Sequence, residues 1–456
     1  MYDLLIKNGM VYTEQGFHPL NICSAGGRIA ALTEHGNEPE AAKVLDARGR
    51  HVFPGFIDCH CHLRDPGFTH KEDFYTGTLA AANSGVTMVF TQPNTDPVPS
   101  TLETFKQQVE AGKQKSIMDF SPNASPLGSA EDVRQISQAG TAWFKIFEKV
   151  ATYPYNTSAG TLDTHAILEA FKNCAANGKY CSVHPFDKYF FDAAVAECKA
   201  EGLPITLENV RHRWYTDEEM TGAAYQLAYY ARKAGLKWYA LHCWMPGYID
   251  LVRMLKARGD MTIVSSFEYM PAIDAPDEIY DADTGNKIIV GHDARPNKDL
   301  IWEAVRDGTI DMVGSDHAPH AQNEYNHLDA LHTGAGFAML DFFGHMLVNH
   351  MNEGCYSLQK LVEITSVNCA MTFGMYPAKG SNIVGTDADF TIVDLNEEWT
   401  IGLDYPVYTK TRINPYVGRK LKGKVKNTVV RGKVVMTNNV VECEPGWGRY
   451  YGDLFM

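Results

Sequence analysis

Eight short runs of apolar, β-branched residues recur through the middle of the chain, separated by segments of helical period. They read HVFPGFIDCHC, GVTMVFTQ, SIMDFSPN, TAWFKIF, KYCSVHP, KWYALHCW, MTIVSSF and IDMVGSDHA. Runs this continuous are buried on both faces, as strands are in a parallel sheet covered by crossover helices. The segments between them supply such helices. In TLETFKQQVEAGK, Leu102, Phe105 and Val109 keep the i, i+3, i+7 spacing of one buried face, with Thr101 as N-cap and Gly112 as the expected stop. EEMTGAAYQLAYYARKAG is another, closing on Gly235. Eight units of this kind fit a closed (β/α)8 TIM-type barrel better than an open sheet. The two ends of the chain differ, with short β-like runs punctuated by Gly and Asn. They predict a small β-sandwich domain formed by the N- and C-terminal segments together. The expected organisation is a sandwich from residues 1–52 and 381–443, a barrel over 53–380, and a tail at 444–456.

Charge and composition narrow the partners. A net charge of −14 argues against nucleic acid or an anionic membrane surface, both of which need clustered basic residues. There is no apolar run of about 18 residues, so no membrane span is expected. The opening MYDLLIKNGMVY lacks the basic start, apolar core and small-residue cleavage site of an export signal. Ten cysteines are scattered without a CxxC pair, which fits buried thiols in a reducing compartment; a cytoplasmic location is the expectation.

Reactive groups of such a barrel belong at the C-terminal ends of its strands. Strand one ends in His60 and His62, strand four carries Lys145, strand five ends in His184, strand six in His242 and strand eight in Asp316. Each lies in or at the end of an apolar run, where an unpaired polar group is costly. Alternation along a strand puts Asp58, His60 and His62 on one face and turns Cys59 and Cys61 to the other, as small apolar groups. Taken singly, each residue has a plain structural reading. A histidine can be a hydrogen-bonded core residue, Lys145 can snorkel to solvent, and Asp316 can cap a helix. Their joint occurrence on one rim points instead to metal chemistry.

Imidazole and carboxylate suit zinc and similar divalent ions. Two such ions need an anionic bridge. A buried lysine, kept neutral by desolvation, reacts with CO2 to give a carbamate that can serve as one. A hydroxide shared by two metals is available near neutral pH. Asp316 is then placed as ligand and proton shuttle, taking the hydroxide's proton and returning it to a departing nitrogen. The chemistry implied is hydrolysis of an amide-like bond, or its reversal.

Together, PGFIDCHCH, WFKIF, the strand-end His184 and His242, and GSDHAPH resemble the binuclear amidohydrolase superfamily, over nearly the whole chain. The terminal LIKNGMVYT and KGSNIVGTDADFTIVDLN resemble the β-sandwich of its cyclic amidohydrolases. The resemblance implies one zinc held by His60, His62, Lys145 and Asp316, and a second by His184, His242 and the shared Lys145 carbamate. Arg64, Asn94 and His320 are similar to the residues with which dihydroorotases hold a ring carboxylate, for which a guanidinium fork with two further donors is suited. The function this implies is reversible hydrolysis of dihydroorotate to N-carbamoyl-aspartate, in pyrimidine metabolism, by a homo-oligomer (dimer or tetramer). The sister readings are hydantoinase or dihydropyrimidinase, allantoinase or another ring-opening enzyme, and a non-catalytic scaffold descended from one. Arg64 could instead pair with Asp65 or Glu72, and Asn94 could be only a turn residue. SSFEYMPAIDAP around Glu268, IIVGHDARPNKDL around His292, and Pro-Phe-Asp after His184 all depart from the dihydroorotase pattern. They surround the ring pocket and leave the ring itself open. His70 and Lys71 in the first loop read as solvated or lid residues.

Overall fold

The computed structural model describes residues 1–147, 160–268, 271–276, 279–280, 287–288, 293–325 and 336–454. His292 lies outside these. The eight apolar runs form eight parallel strands: Phe56–Cys61, Val86–Thr91, Asp119–Pro122, Trp143–Phe147, Tyr180–His184, Lys237–Ala240, Ile263–Phe267 and Met312–Val313, barrel strands one to eight in that order. Strands one to three pair in sequence, and strands four to eight do so in a second group. Two seams join the groups. Lys145 N donates to Ala124 O at 2.9 Å between strands three and four. Between strands one and eight, Asp316 N donates to His60 O at 2.9 Å and His62 N to His317 O at 2.7 Å. The barrel is therefore closed, and site residues supply the closing bonds.

The helices follow local signals. Leu102–Lys115 begins at Thr101, whose side chain accepts from Thr104 N in a capping box. It runs past Gly112, which is no stop. A Cβ there would lie 2.3 Å from the Phe120 ring, so glycine is required by close approach of helix to strand three. Asp217–Ala234 does end on Gly235, at φ 67°. The run from His51 to Cys61 is two strands rather than one: His51–Pro54 belongs to the sheet of the chain ends and Phe56–Cys61 to the barrel. Gly55 marks the break, where a Cβ would meet the Thr87 side chain.

The two ends meet in one nine-stranded sheet, where His51–Pro54 pairs with Phe390–Thr400. This β-rich domain has its own core, including Leu4, Ile22, Val52, Phe390 and Val429. The last segment is not a free tail. Tyr450 and Tyr451 are buried, and Phe120 N donates to Arg449 O at 3.0 Å beside strand three. No helix among the described residues is long and apolar enough to cross a membrane.

One buried ion pair fastens the helix after strand eight, Phe343–Asn352, to the segment after strand seven. His350 Nε2 lies 2.6 Å from Asp274 Oδ2. Burial works against the imidazolium, but Asp274 outweighs it and pushes His350 up to about 10 from an ordinary 6.5. A raised folded value stabilises fully below the unfolded value, and the contribution fades as pH rises through the folded one. His350→Gln should therefore cost about 3 kcal/mol near pH 6. That is the low end for a broken buried pair, because Lys298 and Arg419 still face Asp274. The gap to the wild type should narrow toward pH 10 in denaturant titrations; a pH-independent gap would contradict the pairing.

Candidate metal and active site

Strand one and the loop after strand eight bring three donors together. The ligand atoms of His60, His62 and Asp316 all lie within 4.8 Å of one another, and the three residues are buried. His62 Nε2 is 3.1 Å from Asp316 Oδ1 and 3.3 Å from His60 Nε2. The other two histidines extend the group. The His242 ring centroid lies 5.3 Å from that of His60 and 4.6 Å from that of His184. Lys145 completes it on strand four: its side chain is fully buried, its Nζ sits 5.3 Å from the Phe147 ring centroid, and Phe147 packs 6.1 Å from His62. The snorkelling arrangement is thus excluded by burial. Cys59 and Cys61 are also fully buried, their thiols pushed well up by burial.

His242 and Asp316 do not end their strands. Strand six stops at Ala240 and strand eight at Val313, and both residues sit beyond in the left-handed region, at φ 57° and 44°. Arg64 does the same at φ 60°. Non-glycine residues held there cost of order 1–3 kcal/mol each and persist only where surroundings over-determine them. Here the surroundings are visible. Asp58, below His60, accepts from Ser315 N at 2.9 Å, Ser315 Oγ at 2.6 Å and His60 N at 3.2 Å. Glu268, at the end of strand seven, accepts from His242 N at 2.7 Å. Its carboxylate also lies 3.2 Å from His242 Nδ1 and 3.7 Å from His60 Nδ1.

The donor set fits a divalent cation. Burial pushes His62 down to about 3 and lowers His242, so both present neutral imidazole, the ligating form. Burial opposes ionisation of Asp316 as well, but His60 beside its carboxylate outweighs that and holds it well below the usual range. Asn94 Oδ1 lies 2.7 Å from His62 Nδ1, which turns Nε2 toward His60 and Asp316. A ligand's second nitrogen fixed by an oxygen is the usual outer support of a metal site. Asn94 therefore steadies a histidine as placed here. His317 turns away: its Nδ1 accepts from Met339 N at 3.0 Å.

Arg64 and His320 stand beside this group. Arg64 is buried and its Nε donates to Pro319 O at 3.2 Å. Asp65 is paired with Lys115 at 2.8 Å, and Glu72 is bonded by Thr409. Lys71 corrects the sequence reading. Where His70 is 58% exposed, the Lys71 side chain is only 2% exposed, 3.2 Å from Glu324 Oε1. Burial and the neighbouring Arg64 push Lys71 down to about 8, and burial takes His320 to about 4. Glu324 lies 3.8 Å from His320 Nδ1 and so faces both groups. Four residues were not legible as site members: Glu268, Lys71, Glu324, and Tyr215, whose hydroxyl is 2.7 Å from His184 Nε2. An acid closing the apolar run of strand seven was the available signal for Glu268. The other three sit on loops or a helix end with no pattern that marks them.

A closed parallel barrel with imidazoles, a lysine and a carboxylate on its C-terminal rim defines a metal-dependent hydrolase scaffold. The comparisons specify it further. Residues 51–435 match the model of the Amidohydrolase family, and the chain belongs to that family. Within it the chain is similar to cyclic amidohydrolases. It is 27% identical to an L-hydantoinase of Paenarthrobacter aurescens, covering 99% of this chain and 98% of that one. It is 28% identical to an allantoinase of Deinococcus radiodurans (96% of each chain) and 27% identical to a dihydroorotase of Methanosarcina acetivorans (99% and 95%). The solved L-hydantoinase of Arthrobacter aurescens superimposes with a TM-score of 0.88 at 24% identity, over 99% of both chains. The family implies a binuclear metal centre, and the buried donors fit one.

Zinc at a hundredfold excess over its Kd should stabilise the chelator-stripped protein by about 2.7 kcal/mol per site. His60→Ala should lose most of that gain. Equal stabilisation of wild type and variant in thermal melts would place the metal elsewhere.

Proposed function

We propose that the chain hydrolyses a cyclic amide whose ring carries a carboxylate, with dihydroorotate as substrate and N-carbamoyl-aspartate as product, reversibly. The observation that carries this reading is Arg64, two residues past His62, buried with its Nε donating to the carbonyl of Pro319, the residue before the equally buried His320. A guanidinium buried next to an imidazole suits a planar carboxylate, and such contacts are worth about 2–5 kcal/mol when truncated. In a protein of net charge −14 that local cation must outweigh a weakly repulsive field.

Two zinc ions would supply a nucleophile at neutral pH and polarise the ring carbonyl. His60, His62 and Asp316 would hold one, His184 and His242 the other. Lys145, after its neutral amine adds CO2 and loses a proton, would offer carbamate oxygens to both. Asp316 would take the proton released as water adds to the carbonyl and deliver it to the ring nitrogen as the C–N bond breaks. All six groups are present, which speaks against a scaffold without activity.

A neutral ring is the second reading. Glu324 already gives Lys71 and His320 an internal carboxylate, and hydantoinase and allantoinase are names borne by relatives as similar as the dihydroorotase. One assay separates the readings. Zinc-loaded protein is offered dihydroorotate, hydantoin, dihydrouracil and allantoin in parallel, with ring opening followed in the ultraviolet. Dihydroorotate should turn over fastest, and Arg64→Ala should raise its KM well over tenfold with metal content unchanged. Preference for an uncharged ring, or an unmoved KM, removes dihydroorotate. Lys145→Ala should lose most bound metal and activity, with partial return on adding short carboxylic acids; full activity in that variant refutes the carbamate.

A further inference from the structure

Between strands five and six the chain inserts two extra helices, Lys188–Ala200 and Leu207–Trp214, before the expected Asp217–Ala234. The insertion has its own small core of Phe186, Phe191, Leu207, Val210 and Trp214, separate from the barrel's. Trp214 is its hub, with ring centroids 4.9 Å from Phe191 and 5.4 Å from Phe186. Tyr215 follows directly. Its N–H donates to Arg211 O at 2.9 Å, and its ring lies 4.5 Å from that of Trp214. The side chain so anchored reaches His184, hydroxyl to Nε2 at 2.7 Å.

We infer that Tyr215 is a positioning residue that commits His184 Nε2 to the insertion and so assigns Nδ1 as the nitrogen through which His184 meets a metal. A neutral imidazole carries one hydrogen, and only the bare nitrogen can ligate. With Nε2–H donating to the tyrosine oxygen, the lone pair stands on Nδ1. The opposite arrangement, tyrosine donating to a bare Nε2, would leave the hydrogen on Nδ1 and no nitrogen to offer while that bond lasts. His184 is 3% exposed, so water is a poor substitute for the tyrosine. The insertion thereby becomes part of the metal centre, although it lies outside the barrel's strand ends. In His62 the same task falls to Asn94 on the opposite nitrogen, Nδ1.

This rests on the metal-centre reading but not on the identity of the ring. The test measures metal per chain across buffered free zinc, for wild type, His184→Ala and Tyr215→Phe, with melts of each metal-free protein. Tyr215→Phe should weaken one of two ions about 10–100-fold, as loss of an outer partner does. The other ion should be unaffected and the metal-free melt unchanged. Two ions at unchanged affinity in Tyr215→Phe, while His184→Ala loses one, would overturn the inference alone. Two ions retained in His184→Ala would overturn the metal-centre reading with it. Should Tyr215→Phe fold poorly, nitrogen-15 spectra of the wild-type histidines decide: a hydrogen on His184 Nε2 supports the assignment, and one on Nδ1 defeats it.

Discussion

The seam between the first and last barrel strands is the constraint on which the rest depends. Its bonds run from Asp316 N to His60 O and from His62 N to His317 O, with Asp58 clasping Ser315 underneath. Closing the barrel and bringing three metal donors within reach are therefore one event. The same closure explains how Asp316 holds a left-handed backbone. Ser315 is fixed on one side by Asp58 and the Asp316 amide on the other by His60, so the local cost is met by bonds that the fold must make in any case. Burial pushes the Asp58 carboxyl up to about 7 in spite of those hydrogen bonds, a sign of how dry the seam is.

Around the donors stands a ring of groups that fix where each imidazole faces. Asn94 holds His62, Glu268 holds the His242 backbone and lies against His60, and Tyr215 holds His184. They come from the loop after strand two, the end of strand seven and an insertion after strand five. Asn94 and Glu268 reach across to histidines of other strands, and Tyr215 folds back onto the histidine that ends the strand before it. The cationic side is built in the same way, since Lys71 from the first loop meets Glu324 from the last. The rim is thus cross-braced, which is what keeping several buried polar groups in fixed orientations requires.

The barrel was legible because its strands are buried on both faces and so read as unbroken apolar runs. The rim donors were legible because they interrupt those runs. Where the reading failed, the reason was a departure from strand geometry or a contact made far away in sequence. Alternation could not foresee that His242 and Asp316 lie past their strand ends on left-handed backbone. Gly112 reads as a stop by propensity, yet it is spent on close packing against Phe120. Lys71 looks like any loop lysine, because only the fold brings Glu324, 253 positions later, to its side. The ring substrate is the least legible part, since it is set by loop residues that follow no period.

Anomalous diffraction from crystals grown with zinc measures the central arrangement directly. Two peaks should appear on the rim, one touching His60, His62 and Asp316, the other His184 and His242, with Lys145 between them. A single peak held away from these side chains, or His184 and His242 directed elsewhere with metal bound, would contradict the account.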